Sequence, residues 1–125
     1  MGLPAYGRGF QTSGTYPGAG TTGPSSQGTY TRSSGFMAYY EICEKVKSGE
    51  WTAVYDDTMK SMYAYGGGTW MGYENKQTLQ HRCDFINQRG LAGAMFWDTS
   101  LDDMTGTFCD EGKYPLIGMF STCLT

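Results

Sequence analysis

The chain has 125 residues, among them 19 glycines and 10 tyrosines, and a net charge of −3, which suits one domain with a modest core. The weak negative charge and the lack of any basic cluster exclude nucleic acid and anionic membrane as natural partners, and no apolar stretch reaches the length of a membrane span. The glycine and tyrosine content argues against a helical bundle and for β structure with many turns.

The start, Met1-Gly2-Leu3-Pro4, has neither the charged nor the long apolar region expected of a signal peptide. Gly2 to Phe10 reads as a strand broken by glycines, with Tyr6, Arg8 and Phe10 on one face by alternation. An arginine among aromatic side chains either stacks on a ring and binds a polar ligand, or pairs with a neighbouring carboxylate. Gln11 to Ser34 is rich in Gly, Ser, Thr and Pro and reads as a surface excursion with little regular structure. It holds no G-x-x-x-x-G-K-[ST] pattern, so it offers no phosphate cradle.

Ser33 or Ser34 can cap a helix running to about Lys47. Phe36, Tyr39, Tyr40, Cys43 and Val46 then form its apolar stripe. Glu41 lies off that stripe, free to face solvent or a ligand. Trp51–Tyr55, Lys60–Tyr65 and Thr69–Tyr73 read as an antiparallel meander, turning at Asp56-Asp57-Thr58-Met59 and at Gly66-Gly67-Gly68. Asn75 can start a second helix that buries Leu79, Cys83 and Ile86 and stops at Gly90.

Leu91–Trp97 reads as a strand on which Met95 and Trp97 share one face. Trp97 is then either a core residue or a ligand-facing indole at a strand end. Asp102-Asp103 follow in a polar turn. Tyr114-Pro115-Leu116-Ile117 opens a last helix with proline in its first turn; Leu116, Phe120 and Cys123 can face inward.

The four cysteines, Cys43, Cys83, Cys109 and Cys123, contain no C-x-x-C pair, and His81 is the only histidine, so a structural zinc site is not expected. Two disulfides with three connectivities are open, and they would imply an oxidising compartment. No G-x-S-x-G, no H-E-x-x-H and no paired carboxylates suited to acid–base work occur. The residues by themselves offer an aromatic binding surface, which suits sugar rings, and no catalytic centre. Neither a cofactor nor a metal is implied.

Four motifs in register carry a resemblance. Gly2-Leu3-Pro4-Ala5-Tyr6-Gly7-Arg8-Gly9-Phe10 resembles the G-[LM]-P-x-Y-G-R-x-F strand of glycoside hydrolase family 18 chitinases. Met37-Ala38-Tyr39-Tyr40-Glu41-Ile42-Cys43 resembles that family's L-A-Y-Y-E-[IV]-C helix. Gly90 to Trp97 with Leu101-Asp102-Asp103 resembles its G-L-G-G-A-M-x-W strand and the L-D-D after it. Cys109 to Ile117 resembles the C-x-x-G-x-Y-P-L-[IL] ending.

The resemblance implies an α/β fold: the last two strands of a TIM barrel with an inserted α+β chitinase insertion domain. Residues 1–10 would be a barrel strand, 11–75 the insertion domain, and 76–125 the helix–strand–helix end of the barrel. The family hydrolyses chitin by substrate-assisted retention, outside the two-carboxylate rule. Its D-x-x-D-x-D-x-E acid motif and its M-x-Y-D motif do not occur in these residues, so what the resemblance carries over is binding. Trp97 is similar to the indole that floors the reacting sugar's subsite, and Met95 lines the same pocket. Tyr6 and Arg8 match cleft residues, and Glu41 matches a glutamate that reaches sugar. Trp70 matches a tryptophan of the insertion domain, for which packing is favoured over a ligand role. Ser100 stands where the family commonly has Asp.

The family's pattern suggests a Cys43–Cys109 disulfide. It places Cys83 and Cys123 on neighbouring outer helices, where they could pair. The expected protein is the C-terminal segment of a secreted chitinase, with chitin or chito-oligosaccharides as partner. The alternative is a non-catalytic chitin-binding or matrix protein. Open barrel-strand edges would favour self-association.

Overall fold

Ala5 divides the expected first strand into two pieces with different partners. In the computed structural model, which describes residues 1–125, β1 is Gly2–Pro4 and β2 is Tyr6–Thr12. Ala5 N–H donates to the carbonyl of Trp97 at 2.7 Å, and its own carbonyl accepts from Tyr39 N–H at 3.0 Å. The bend thus loses no backbone hydrogen bond. The chain continues through β3 (Thr21–Pro24), β4 (Phe36–Ala38), α1 (Tyr39–Lys47), β5 (Thr52–Asp56), β6 (Ser61–Gly66) and β7 (Thr69–Tyr73). It ends with α2 (Lys76–Arg89), β8 (Met95–Trp97), a single 3₁₀ turn at Thr99–Leu101 and α3 (Pro115–Cys123).

Two sheets result. β1 and β8 form a parallel pair in which Leu3 lies opposite Phe96 and Pro4 opposite Trp97. The rest is one antiparallel sheet in the order β3-β2-β7-β6-β5, with β4 also pairing β2. The expected meander forms, but Asp56 and Gly66, expected in its turns, end strands β5 and β6, opposite Ser61 and Thr69. Gly67 and Gly68 close the second hairpin with φ of 56° and 78°, the left-handed pair that a two-residue turn requires. The expected boundary between Phe10 and Gln11 falls inside β2, so the antiparallel sheet begins at Tyr6.

Side-chain alternation gives β2 two unlike faces. Gly7 and Gly9 are buried against α1 and β7, where a Cβ on Gly7 would lie 2.7 Å from Ile42 Cδ1. Without side chains there, Ile42 and Met71 pack directly on the sheet, in a core with Met37, Trp51 and Ala64. A second core gathers Leu3, Ala5, Ala38, Tyr39, Leu79, Ile86, Leu101 and Leu116 between the parallel pair, α2 and α3.

Several expectations need correction. The helix expected from Ser33 begins only at Tyr39, because Phe36–Ala38 pair with Tyr6–Arg8 as strand β4. Residues 11–34 are not wholly irregular, since Thr21–Pro24 add a strand to β2. The last strand is three residues long rather than seven, and Leu91 is exposed. Asp102 and Asp103 are not in a solvated turn but are buried, at 0% and 1% exposure. The second helix is as read: Asn75 accepts from Thr78 N–H, and Gly90 ends it in the left-handed conformation.

Both disulfides form, Cys43–Cys109 with Cα atoms 5.1 Å apart and Cys83–Cys123 with 6.1 Å, within ordinary disulfide reach.

Candidate functional site

β8 presents Met95 and Trp97 on one side, 56% and 60% exposed, while Phe96 turns inward against Phe120. Trp97 is therefore not a core residue. Pro4, its partner across the parallel pair, borders a groove of about 480 Å³ that also meets Tyr6, Arg8, Ser61, Tyr63, Trp70 and Glu74. Strand alternation explains the grouping. Tyr6 and Arg8 point away from the α1 side, and Arg8 lies opposite Gly72, which in turn lies opposite Tyr63.

Arg8 resolves the choice left by the sequence. Its guanidinium sits 5.2 Å from the Tyr6 ring centroid and 5.3 Å from that of Phe36, and it takes part in no ion pair. Phe36 packs 5.1 Å from Tyr6. Such a cation held over rings keeps its N–H donors available. The helical spacing of the sequence places Phe36 on a helix stripe, whereas Gly35, with a φ of 72°, turns the chain into β4.

The far wall of the groove is aromatic. Trp70 and Tyr63 stack at 5.5 Å and 22°. The indole lies over Gly72, where a Cβ would meet its ring at 3.1 Å. Glu74 takes Arg82 at 3.1 Å through Oε1, while its Oε2 and the Trp70 Nε1 have no hydrogen-bond partner. Tyr73, at the same wall, has its phenol pushed up to about 12, first by burial and then by the Glu111 charge.

Glu41 departs from expectation. It is 4% exposed. Its Oε1 accepts from Ala38 N–H at 3.0 Å and the Thr31 hydroxyl at 2.6 Å, and its Oε2 accepts from Tyr30 N–H at 2.9 Å. The carboxylate caps the start of α1 and gathers the 28–31 loop, so it is neither free nor facing the groove. The reason is local: at the third helical position a glutamate reaches back to the unpaired N–H before the helix. Cys43 and Cys109 are joined and are not among the groove-lining residues. The structure thus brings Tyr6 and Arg8 together in the groove, leaves Met95 and Trp97 outside its lining on the strand paired with Gly2–Pro4, and places Glu41 elsewhere.

The Glycosyl hydrolases family 18 pattern matches residues 1–102. The chain belongs to this family. It is 40% identical to human chitinase-3-like protein 2 over 119 residues, covering 94% of this chain and 30% of that protein. The crystal structure of an immunomodulatory active chitinase from Trichuris suis superposes with a TM-score of 0.94 at 37% identity, over 99% of this chain and 35% of that one. Human YKL-39, described as a pseudo-chitinase with retained chitooligosaccharide binding, superposes with a TM-score of 0.92 at 36% identity, over 98% and 34%. This family 18 chain spans about a third of the length of those relatives. Its mixed α/β fold is theirs over the shared stretch.

Proposed function

We propose that this family 18 chain supplies part of a cleft that binds β-1,4-linked N-acetylglucosamine chains. The observation that carries the reading is Trp97: a 60% exposed indole on β8, beside the groove that holds Tyr6 and Arg8. An exposed indole flanked by Met95 is costly in water and well matched to the apolar face of a sugar ring. The Arg8 N–H donors suit hydroxyl and N-acetyl oxygens. The names of the relatives, chitinases and an oligosaccharide-binding pseudo-chitinase, support the same ligand class.

In this reading the antiparallel sheet with α1 is the chitinase insertion domain, and β1, β8, α2 and α3 belong to the barrel. Hydrolysis requires a carboxylic acid from residues outside this chain, because the D-x-x-D-x-D-x-E motif is not among its 125 residues. The two disulfides support an extracellular setting. Titration with chitotetraose, followed by tryptophan fluorescence, tests the proposal. Saturable quenching that disappears in Trp97→Ala is expected. Absence of any change in the folded chain overturns binding by this chain. A second reading, a purely binding protein, is separated by turnover: the longest chain that carries these residues should then bind chito-oligosaccharides without cleaving them.

A further inference from the structure

The groove does not end at Arg8. It continues across the open face of the antiparallel sheet, opposite the face that α1 covers, and reaches the Trp70–Tyr63 stack. Building on the cleft proposed above, we infer that Trp70 and Tyr63 form an outer platform for the same N-acetylglucosamine chain. The platform would engage long oligomers and leave short ones alone.

Three observations converge on this. First, the indole is laid flat. Gly72 carries no side chain beneath it, and a Cβ there would crowd Cζ3 and Cη2 at 3.1 Å. A flat aromatic pair on an uncovered sheet face is the surface against which a pyranose ring stacks. Second, two buried polar atoms in residues that line this end of the groove have no hydrogen-bond partner, a donor at Trp70 Nε1 and an acceptor at Glu74 Oε2. Native proteins seldom leave such buried groups unpaired. Third, the register gives a continuous backbone route from the proposed subsite to the platform. The route runs from Trp97 to Pro4, along β2 to Arg8, then across Gly72 to Tyr63. At about 3.3 Å per residue along a strand and about 4.8 Å between strands, that route is no more than about 28 Å. A hexasaccharide can cover the whole of that route.

The test uses the 125-residue chain, labelled with nitrogen-15. The three indole N–H signals of Trp51, Trp70 and Trp97 are assigned by Trp→Phe variants and followed on addition of chitobiose and of chitohexaose. Chitobiose should move Trp97 alone. Chitohexaose should move Trp97 and Trp70. The affinity advantage of hexaose over biose should shrink by about twofold to tenfold in Trp70→Ala. If that variant does not fold, the wild-type indole signals decide alone. A Trp70 signal that stays in place at saturating chitohexaose while Trp97 moves overturns the platform and leaves the cleft standing. A Trp70 signal that moves equally with chitobiose overturns the length dependence. If neither sugar moves any indole, the cleft reading falls and the platform with it.

Discussion

The Asp102 carboxylate accepts hydrogen bonds from Leu116 N–H at 3.1 Å and Ile117 N–H at 3.0 Å, and so holds the N-terminus of α3 from 14 residues away. The first turn of a helix has donors that its own carbonyls cannot reach. Pro115 removes one of them, since proline has no N–H, and Asp102 takes the next two. Asp103, beside it, accepts from Gly106, Phe108 and Cys109 N–H and shapes the loop that returns to Cys43. Two adjacent carboxylates thus organise the whole end of the chain.

Asp102→Ala should therefore lower stability by about 1–2 kcal/mol, the usual loss for a helix-terminal acceptor. The Asp102→Asn cost should be smaller. Burial pushes the Asp102 carboxyl up, so a neutral side chain that keeps one acceptor avoids part of the charge penalty. Urea unfolding of both variants checks this. Equal midpoints for Ala and wild type would sink the claim that Asp102 anchors α3.

Glu41 makes a second prediction. Its removal leaves the backbone donors of Ala38, Tyr30 and Thr31 without their acceptor. Glu41→Ala should cost about 2 kcal/mol and should open residues 28–31 to proteolysis before the rest of the chain. Gly28 belongs to the same arrangement, because a Cβ there would run into the Glu41 carboxylate. Limited digestion with mapping of the first cut is the measurement, and a first cut elsewhere would argue against it.

Much of this was legible in the sequence where it is set by local rules. The meander follows from alternation and glycine turns, and α2 from Asn75 and Gly90. The shared face of Met95 and Trp97 follows from period two. What the sequence hid was set by distant partners. Phe36 is a strand residue because Arg8 lies opposite it, 28 positions earlier. Asp102 and Asp103 look like a solvated turn until the chain end folds back on them. Glu41 sits off the apolar stripe and is buried all the same, because the 28–31 loop closes over it. Local polarity predicts exposure only where no other segment arrives with unpaired donors.

Alkaline pH gives a third prediction. Burial, then the Glu111 charge, pushes the Tyr73 phenol up to about 12, and Tyr39 is pushed further by burial and by its 2.6 Å hydrogen bond to Glu111. An unfolded chain loses these protons near pH 10. Between about 10 and about 12 the folded state holds more protons than the unfolded one, so stability is full below about pH 10 and falls as pH rises through that window. Tyr73→Phe should move the midpoint of alkaline unfolding upward. A midpoint that does not move in a circular-dichroism pH series would remove Tyr73 from the account.

The parallel pair β1–β8 supports the last prediction. Each strand has three residues, and Met95 and Trp97 stand in solvent on one side. β2, by contrast, is paired on both sides, with β7 on one and β3 and β4 on the other. Protection against hydrogen exchange follows how completely a strand is paired and packed. Amides of β2, β6 and β7 should exchange slowly, near the rate of global unfolding. Met95 N–H and Ala5 N–H should exchange orders of magnitude faster, although both are hydrogen-bonded, to Met1 and Trp97. Ala5 adjoins β2 in sequence, so a steep change in protection between Ala5 and Gly7 would locate the point where the parallel pair gives way to the antiparallel sheet. If two copies associate through the open edge of β8, protection there should rise with protein concentration. Uniformly slow exchange through β1, β8 and β2 in a dilute monomer would mean that the parallel pair is stable by itself, and the argument from open edges would be wrong.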